Sequence, residues 1–173
     1  LAVRREKRQV WAWLGGRRAL DSTGLCSRLD PLLPPGSSLA VGEPGEGLDG
    51  WRCTHRQAAA ALPVGRRRGD RVVRYADVAL LTAVLRDDLL ATSLRRSYLE
   101  PLAGGRAGGE ALLQTLRAYF AAGRNSASAA AALGITRQTV GNRLRAVEQR
   151  LGLPLDACCS DLEIALELQE IGS

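Results

Sequence analysis

The apolar positions between residues 125 and 151 predict two helices separated by a tight turn. The first helix is short and rich in alanine. The second has apolar residues at helical spacing, which places them on one side: Val140, Leu144, Val147 and Leu151. Gly134 lies where the first helix must end, because a left-handed residue is needed there. A short helix, a turn and a longer helix are the elements of a DNA-reading helix-turn-helix.

Local capping signals support the same two helices. Ser126 or Ser128 is predicted to cap the first helix, and Thr136 the second. Ile135 is predicted to fill the corner between them.

The polar side of the second helix is unlike an ordinary solvated face. It carries Gln138, Asn142, Arg145 and Gln149, and Arg137 adds to it from the first turn. Amides pair bidentately with adenine, and arginines suit guanine or phosphate, whereas ordinary exposed faces favour alternating Glu and Lys. The alternative is an alanine-rich helical hairpin within an unrelated bundle, because such motif matches include false positives.

Apolar spacing predicts further helices around this motif. Helices are expected over residues 77–88, 89–102 and 110–122, the last one ending at Gly123, with a flexible joint at 103–109. Residues 152–159 read as a loop, and Ser160 to Glu163 as a capping box that opens the last helix.

The N-terminal part predicts a small sheet with one helix. Strands are expected at residues 8–13, 38–42 and 71–75, and a helix capped by Thr54 at 54–62. Residues 31–36 and 42–50 read as turns rich in Gly or Pro. The order strand, helix, strand calls for a mixed α/β layer.

Composition narrows the class of protein. The 173 residues carry a formal charge of +6, which favours a polyanionic partner such as nucleic acid. The chain has neither a long apolar run nor a signal peptide, and we expect a soluble cytoplasmic protein. Because methionine is absent and the chain starts at Leu1, we expect a fragment of a longer protein.

The cysteines, the single histidine and the basic run do not indicate a catalytic or metal site. The four cysteines have no paired C-x-x-C spacing and come with one histidine, His55, so neither a metal site nor a disulfide framework is expected. Cys158 and Cys159 read as partly buried, reduced thiols. The basic run at residues 66–74 reads as a solvated loop, with an added phosphate contact as the alternative.

Three segments in the C-terminal part of the sequence resemble a known family. LLQTLRAYFAAGRN, LGITRQTVGNRLRAVEQRLG and LEIALEL are similar to the C-terminal helix-turn-helix domain of PucR/CdaR-type bacterial transcriptional regulators over residues 112–171. Thr136, Gln138 and Asn142 stand where many members carry His, Asn and Tyr, which implies a different operator.

Two segments in the N-terminal part of the sequence resemble a second domain of that family. VGEPGEGLDGWRCTHRQAAAAL and RVVRYADV are similar to the C-terminal half of its degenerate GGDEF-like domain. The cyclases of this fold need a GGDEF turn and metal-binding acids, whereas the nearest string here, residues 15–18, is Gly-Gly-Arg-Arg. The loop at 42–50 lacks the Lys-Ser/Thr of a P-loop. No enzyme, metal or cofactor is therefore expected.

These observations predict an α+β chain. A GGDEF-like α/β remnant spans residues 1–76, and an all-α DNA-binding domain spans 77–173. The expected function is sequence-specific binding of duplex DNA by a regulator, and the alternative is a non-catalytic protein-interaction or ligand-sensing module. Base contacts are assigned to Arg137, Gln138 and Asn142, and phosphate contacts to Ser126, Thr136, Thr139, Arg143 and Arg145.

Arg143 has a second interpretation, because it lies toward the buried flank and is also suited to pin the helix through a salt bridge. We further expect a homodimer that reads two half-sites, a small-molecule effector acting through an upstream region, and no membrane partner. Trp11, Trp13 and Trp51 are candidate dimer anchors, with the helices between residues 77 and 102 as the alternative surface.

Overall fold

The computed structural model describes residues 1–6, 9–16, 20–104 and 108–172. The chain divides into two compact units, Leu1–Thr82 and Ala83–Ser173, here called the first unit and the second unit. The α/β elements precede the helices along the chain, which confirms the predicted α+β class. The predicted domain boundary between residues 76 and 77 stays a prediction.

The first unit contains short strands and one long helix. In chain order it has β1 (Ala2–Glu6), β2 (Gln9–Ala12), α1 (Ser22–Leu29), a single 3-10 turn (Asp30–Leu32), β3 (Leu39–Val41), α2 (Gly47–Arg68), β4 (Val72–Arg74) and most of α3 (Tyr75–Val84), whose last two residues belong to the second unit. The three predicted strands are confirmed as β2, β3 and β4. Strand β1 and helix α1 were not predicted.

Strands β3 and β4 pair in parallel, with Leu39 opposite Val72. Helix α2 connects them, and the predicted β–α–β unit is confirmed. Gly65 allows α2 to approach β4 closely, because a Cβ atom there would lie 2.6 Å from Cγ1 of Val73. The prediction of one small sheet was wrong for the described residues: β1 and β2 form a separate antiparallel pair.

Helix α2 is much longer than the predicted 54–62. It begins at Gly47, inside the stretch predicted as a turn, and ends at Arg68, with Gly69 left-handed at φ 78°. Thr54 is therefore not a cap. Its hydroxyl donates to the carbonyl of Glu43 at 2.8 Å and ties the preceding loop to the helix. Residues 66–68, predicted as a loop, are the last turn of the helix.

The second unit is helical. In chain order it has α4 (Asp88–Leu94), a π-helical turn (Arg95–Leu99), α5 (Glu100–Ala103), α6 (Gly109–Ala121), α7 (Ser126–Leu133), α8 (Arg137–Leu151) and α9 (Leu155–Gly172). The helices predicted from residue 89 onward are confirmed, apart from where the last one begins. Part of the predicted joint at 103–109, residues 105–107, lies outside the described residues.

Leucines from several helices build one core in the second unit. Its buried members are Leu99, Leu102, Leu112, Leu113, Leu116, Val147, Leu155, Leu162, Ala165 and Leu166. Leu144, Leu151 and Phe120 pack against it while partly exposed. Helix α8 therefore packs against a continuous hydrophobic core.

The start of the last helix was predicted wrongly. Helix α9 begins at Leu155, and the supposed capping box at 160–163 lies inside it. The backbone N–H of Leu155 is satisfied by Oε1 of Glu148 on α8, at 2.9 Å. Cys158 and Cys159 thus sit in the first turns of α9 and are fully buried free thiols. Burial raises the pKa of the Cys158 thiol and keeps it protonated.

Candidate nucleic-acid interface

Helix α7 begins at Ser126, which is one residue earlier than a cap at Ser126 implies and three earlier than a cap at Ser128 implies. Asn125 is the N-cap, and its Oδ1 accepts from the backbone N–H of Ala127 at 2.9 Å and of Ser128 at 3.1 Å. The predicted caps, Ser126 and Ser128, are instead residues of the helix itself. Ala129 and Ala130 are buried on its inner face, so their small side chains allow close packing of helices.

The turn between α7 and α8 is confirmed. Gly134 is left-handed with φ 65°, and the N–H of Ile135 donates back to the carbonyl of Ala130 at 3.1 Å. Thr136 then caps α8: its Oγ1 accepts from the N–H of Thr139 at 3.1 Å. A capped turn of this kind fixes the direction in which α8 leaves the motif.

Helix α8 has the two predicted sides. Val140 and Val147 are completely buried, and Leu144 and Leu151 are half-buried beside them. The opposite side is exposed at every predicted position: Gln138, Asn142, Arg145 and Gln149. We call these four residues the outer face of α8.

Three side chains of the outer face are joined through one oxygen atom. Oδ1 of Asn142 accepts from Nη2 of Arg145 at 2.9 Å and from Nε2 of Gln138 at 3.3 Å. The bonds connect residues three and four apart, which are neighbours on a helix surface. The two amides and the guanidinium therefore form one hydrogen-bonded group on the helix surface.

The other predicted contacts fall into two groups. Arg137 and Thr136 are exposed at the start of α8, where Oγ1 of Thr136 lies 2.9 Å from Oγ1 of the half-buried Thr139. Ser126 is half-buried at the start of α7. Arg143 is different, because its Nη1 donates to Oγ1 of Thr115 on α6 at 3.1 Å. Its partner is a hydroxyl, not the predicted salt-bridge acid, and it faces the interior of the unit.

The glycine-rich loop of the first unit has a structural explanation. A Cβ atom on Gly42 would lie 2.2 Å from the carbonyl oxygen of Thr54, and one on Gly45 would lie 2.7 Å from the Cα of Gly50. These glycines permit close backbone contact between the loop and the first turns of α2. They require no phosphate to explain them.

The aromatic residues of the first unit contact one another. The rings of Trp13 and Trp51 stack with centroids 4.8 Å apart, and His55 lies 4.3 Å from Trp11. This cluster fixes the β1–β2 hairpin onto α2. Across the described residues, no group of three or more His, Cys, Asp or Glu side chains is placed to hold a metal ion.

Comparison with known families agrees with these two units. Residues 112–168 match the PucR C-terminal helix-turn-helix domain, and residues 1–64 match a GGDEF-like domain. Together these two matches are those of a PucR/CdaR-type regulator. A search of curated proteins returned no match.

Every predicted contact lies within the PucR-type domain, which points to transcriptional regulation through DNA. Two polar residues of this site were missed from the sequence. The cap at Asn125 could have been predicted, because Asn is a preferred N-cap residue. The bond between Thr115 and Arg143 could not, because the two residues are far apart in the sequence. None of the helices in the described ranges is long and apolar enough to cross a membrane.

Proposed function

We propose that the second unit binds duplex DNA in a sequence-specific manner, with α8 in the major groove. The observation that carries the proposal is the outer face of α8, where two amides and an arginine are exposed and joined through Oδ1 of Asn142. A major groove admits one α-helix, and amide side chains distinguish its base edges by their donors and acceptors. The buried side of α8 holds this face in place.

Each side chain has a role set by its position. Gln138 and Asn142 read base edges from the middle of the outer face, and Arg137 does so from the first turn. Phosphate contacts come from the residues near the helix starts and from the arginine of the outer face: Ser126, Thr136, Thr139 and Arg145. Arg143 was predicted among them, but its bond to Thr115 separates it from this set.

We propose that the chain works without catalysis or a cofactor. Support comes from the sequence, in which arginines stand at 17 and 18 where a cyclase turn needs acids. The structure of residues 17–19 lies outside the described ranges. Incubation with GTP and Mg²⁺ should give no cyclic dinucleotide, and product formation above a buffer blank would contradict the proposal.

We also propose a homodimer as the binding unit. One helix with a few reading side chains specifies too few base pairs to find an operator, and symmetry doubles the site. The tryptophans are already engaged with one another in one chain, although Trp51 stays 42% exposed. Sedimentation at micromolar concentration tests the dimer, and footprinting should show half-sites about 10 base pairs apart or a multiple of that.

A titration of random-sequence duplexes across several salt concentrations tests DNA binding itself. The wild-type chain should bind the pool, and its affinity should fall as salt rises. Arg145→Ala should weaken binding to all sequences and lower the salt slope by about one. Arg96→Ala removes the same charge from an exposed position outside α8 and serves as the control. A folded chain that binds no duplex at low salt would contradict the proposal and favour a protein-docking module.

A further inference from the structure

Arg143 points into the helical unit instead of toward a partner. It is half-buried, and its Nη1 donates to Oγ1 of Thr115, which is completely buried on α6. The Thr115 hydroxyl in turn donates to the carbonyl of Ala111 at 2.6 Å. The hydroxyl proton is therefore occupied, and the oxygen atom is left as an acceptor aimed at α8.

A second arginine on the same flank of α8 makes a similar bond. Arg150 is half-buried, and its Nη1 donates to the carbonyl of Leu102 on α5 at 2.8 Å. Residues 143 and 150 lie about two helical turns apart and so share one flank of α8. Two directional contacts therefore hold α8 at separate points along its length.

These two hydrogen bonds differ from the apolar contacts of α8 because they have a preferred direction. Val140 and Val147 supply buried area, but apolar contacts have no preferred direction and tolerate rotation of a helix about its axis. Hydrogen bonds from a guanidinium are directional and strengthened by its charge. Reading base edges requires side chains held to within about 0.5 Å, so the rotation of α8 must be fixed.

We propose that Arg143 is a positioning residue of the DNA-reading helix. It acts through the buried acceptor Thr115, with Arg150 as the second tether, and it does not contact phosphate. The inference rests on the proposed function, since it describes how the outer face of α8 is held for DNA.

Salt dependence separates the two roles of an arginine. Removing a phosphate contact lowers the salt slope, whereas removing a positioning contact weakens binding without changing that slope. Arg143→Ala should reduce DNA affinity and keep the wild-type slope, in contrast to Arg145→Ala. A slope that falls by about one in both variants would overturn the inference.

Substitutions at Thr115 test the acceptor without touching α8. Thr115→Val keeps the shape and removes the acceptor, and we expect DNA affinity to fall about tenfold. Thr115→Ser keeps the hydroxyl and should restore binding to within about twofold of the wild type. A circular dichroism spectrum shows that each variant is folded. Equal affinity of the Val and Ser variants would contradict the role of the hydroxyl.

A measurement without DNA distinguishes failure of this inference from failure of the proposed function. The guanidinium signals of Arg143 in a proton–nitrogen NMR spectrum should show slowed exchange in the wild type. That protection should be lost in Thr115→Val and kept in Thr115→Ser. If protection is the same in all three proteins, the tether is absent whatever the chain does with DNA.

Discussion

The two compact units use their polar side chains differently. In the first unit, Nη2 of Arg71 donates to the carbonyls of Asp30 and Leu33, and its Nε pairs with the Asp30 carboxylate at 3.2 Å. In the second unit, the side chains at the centre of the outer face of α8 bond to one another and remain exposed. The first arrangement holds a loop in place. The second presents a surface.

The difference shows that charge alone does not locate a binding site. The basic run at residues 66–74 is the densest in the sequence, yet Arg71 is bonded to Asp30 and Arg74 to Asp77. Both arginines stabilise the first unit. The outer face of α8 carries less charge but exposes amides, whose donors and acceptors are suited to distinguish base edges.

The largest expected effect is loss of base reading at Asn142. Asn142→Ala should cost about 1–3 kcal/mol of binding to the preferred duplex and relax the base preference at one position. Because Asn142 is exposed, the thermal stability of the chain should stay unchanged. Titration against duplexes that differ at single positions measures this. An equal loss on every sequence would show that Asn142 does not read a base.

A smaller effect is expected from Arg71 in the first unit. Arg71→Ala removes hydrogen bonds and an ion pair that are half exposed, and should lower the free energy of unfolding by about 1–2 kcal/mol. Chemical denaturation measures the loss, with Arg67→Ala at an exposed position as the control. The salt slope of DNA binding should not change. A lower slope would show that the basic run contacts phosphate after all.

Helix positions with local signals were predictable, and long-range contacts were not. Gly134 and Thr136 mark the turn through backbone preference and capping, and both were placed correctly. Ser160 to Glu163 imitates a capping box, but Glu148 from another helix supplies the bond that starts α9 earlier. A local pattern does not contain such a partner.

The first unit was predicted less well because its glycines depend on packing. The stretch 42–50 reads as a loop from composition, yet Gly47 begins α2 and Gly42 lies against the backbone of Thr54. Hydrogen bonds from Thr54 and Gln57 to Glu43 hold this arrangement. The outer face of α8 was predictable because helical spacing alone determines it.

Tyr98 gives the second unit an internal polar contact that should respond to pH. Its hydroxyl donates to the Asp161 carboxylate at 2.9 Å, and this bond raises the pKa of Tyr98. The contribution is complete below about pH 10 and is lost as pH rises through the higher folded-state pKa. Tyr98→Phe should cost about 1 kcal/mol at neutral pH and remove this dependence in denaturation experiments. Identical pH profiles for the two proteins would contradict the assignment.

The smallest expected effect is a gain in stability at Gly141. A Cβ atom there meets nothing within 4 Å, so Gly141→Ala should stabilise α8 by about 0.5–1 kcal/mol. Gly65→Ala in the first unit is the matched substitution with the opposite sign, because its Cβ would press on Val73. Thermal melts of both variants measure the pair. The same sign for both would show that the two helices are not packed as described.

Selection from a randomised pool of duplexes tests the central claim most directly. The folded wild-type chain should enrich a short motif, repeated with a spacing of about 10 base pairs or a multiple of it if two subunits bind together. Enrichment of a motif would establish that the chain binds DNA in a sequence-specific manner. A final pool with the same base composition as the input, bound by a folded chain, would contradict sequence-specific binding.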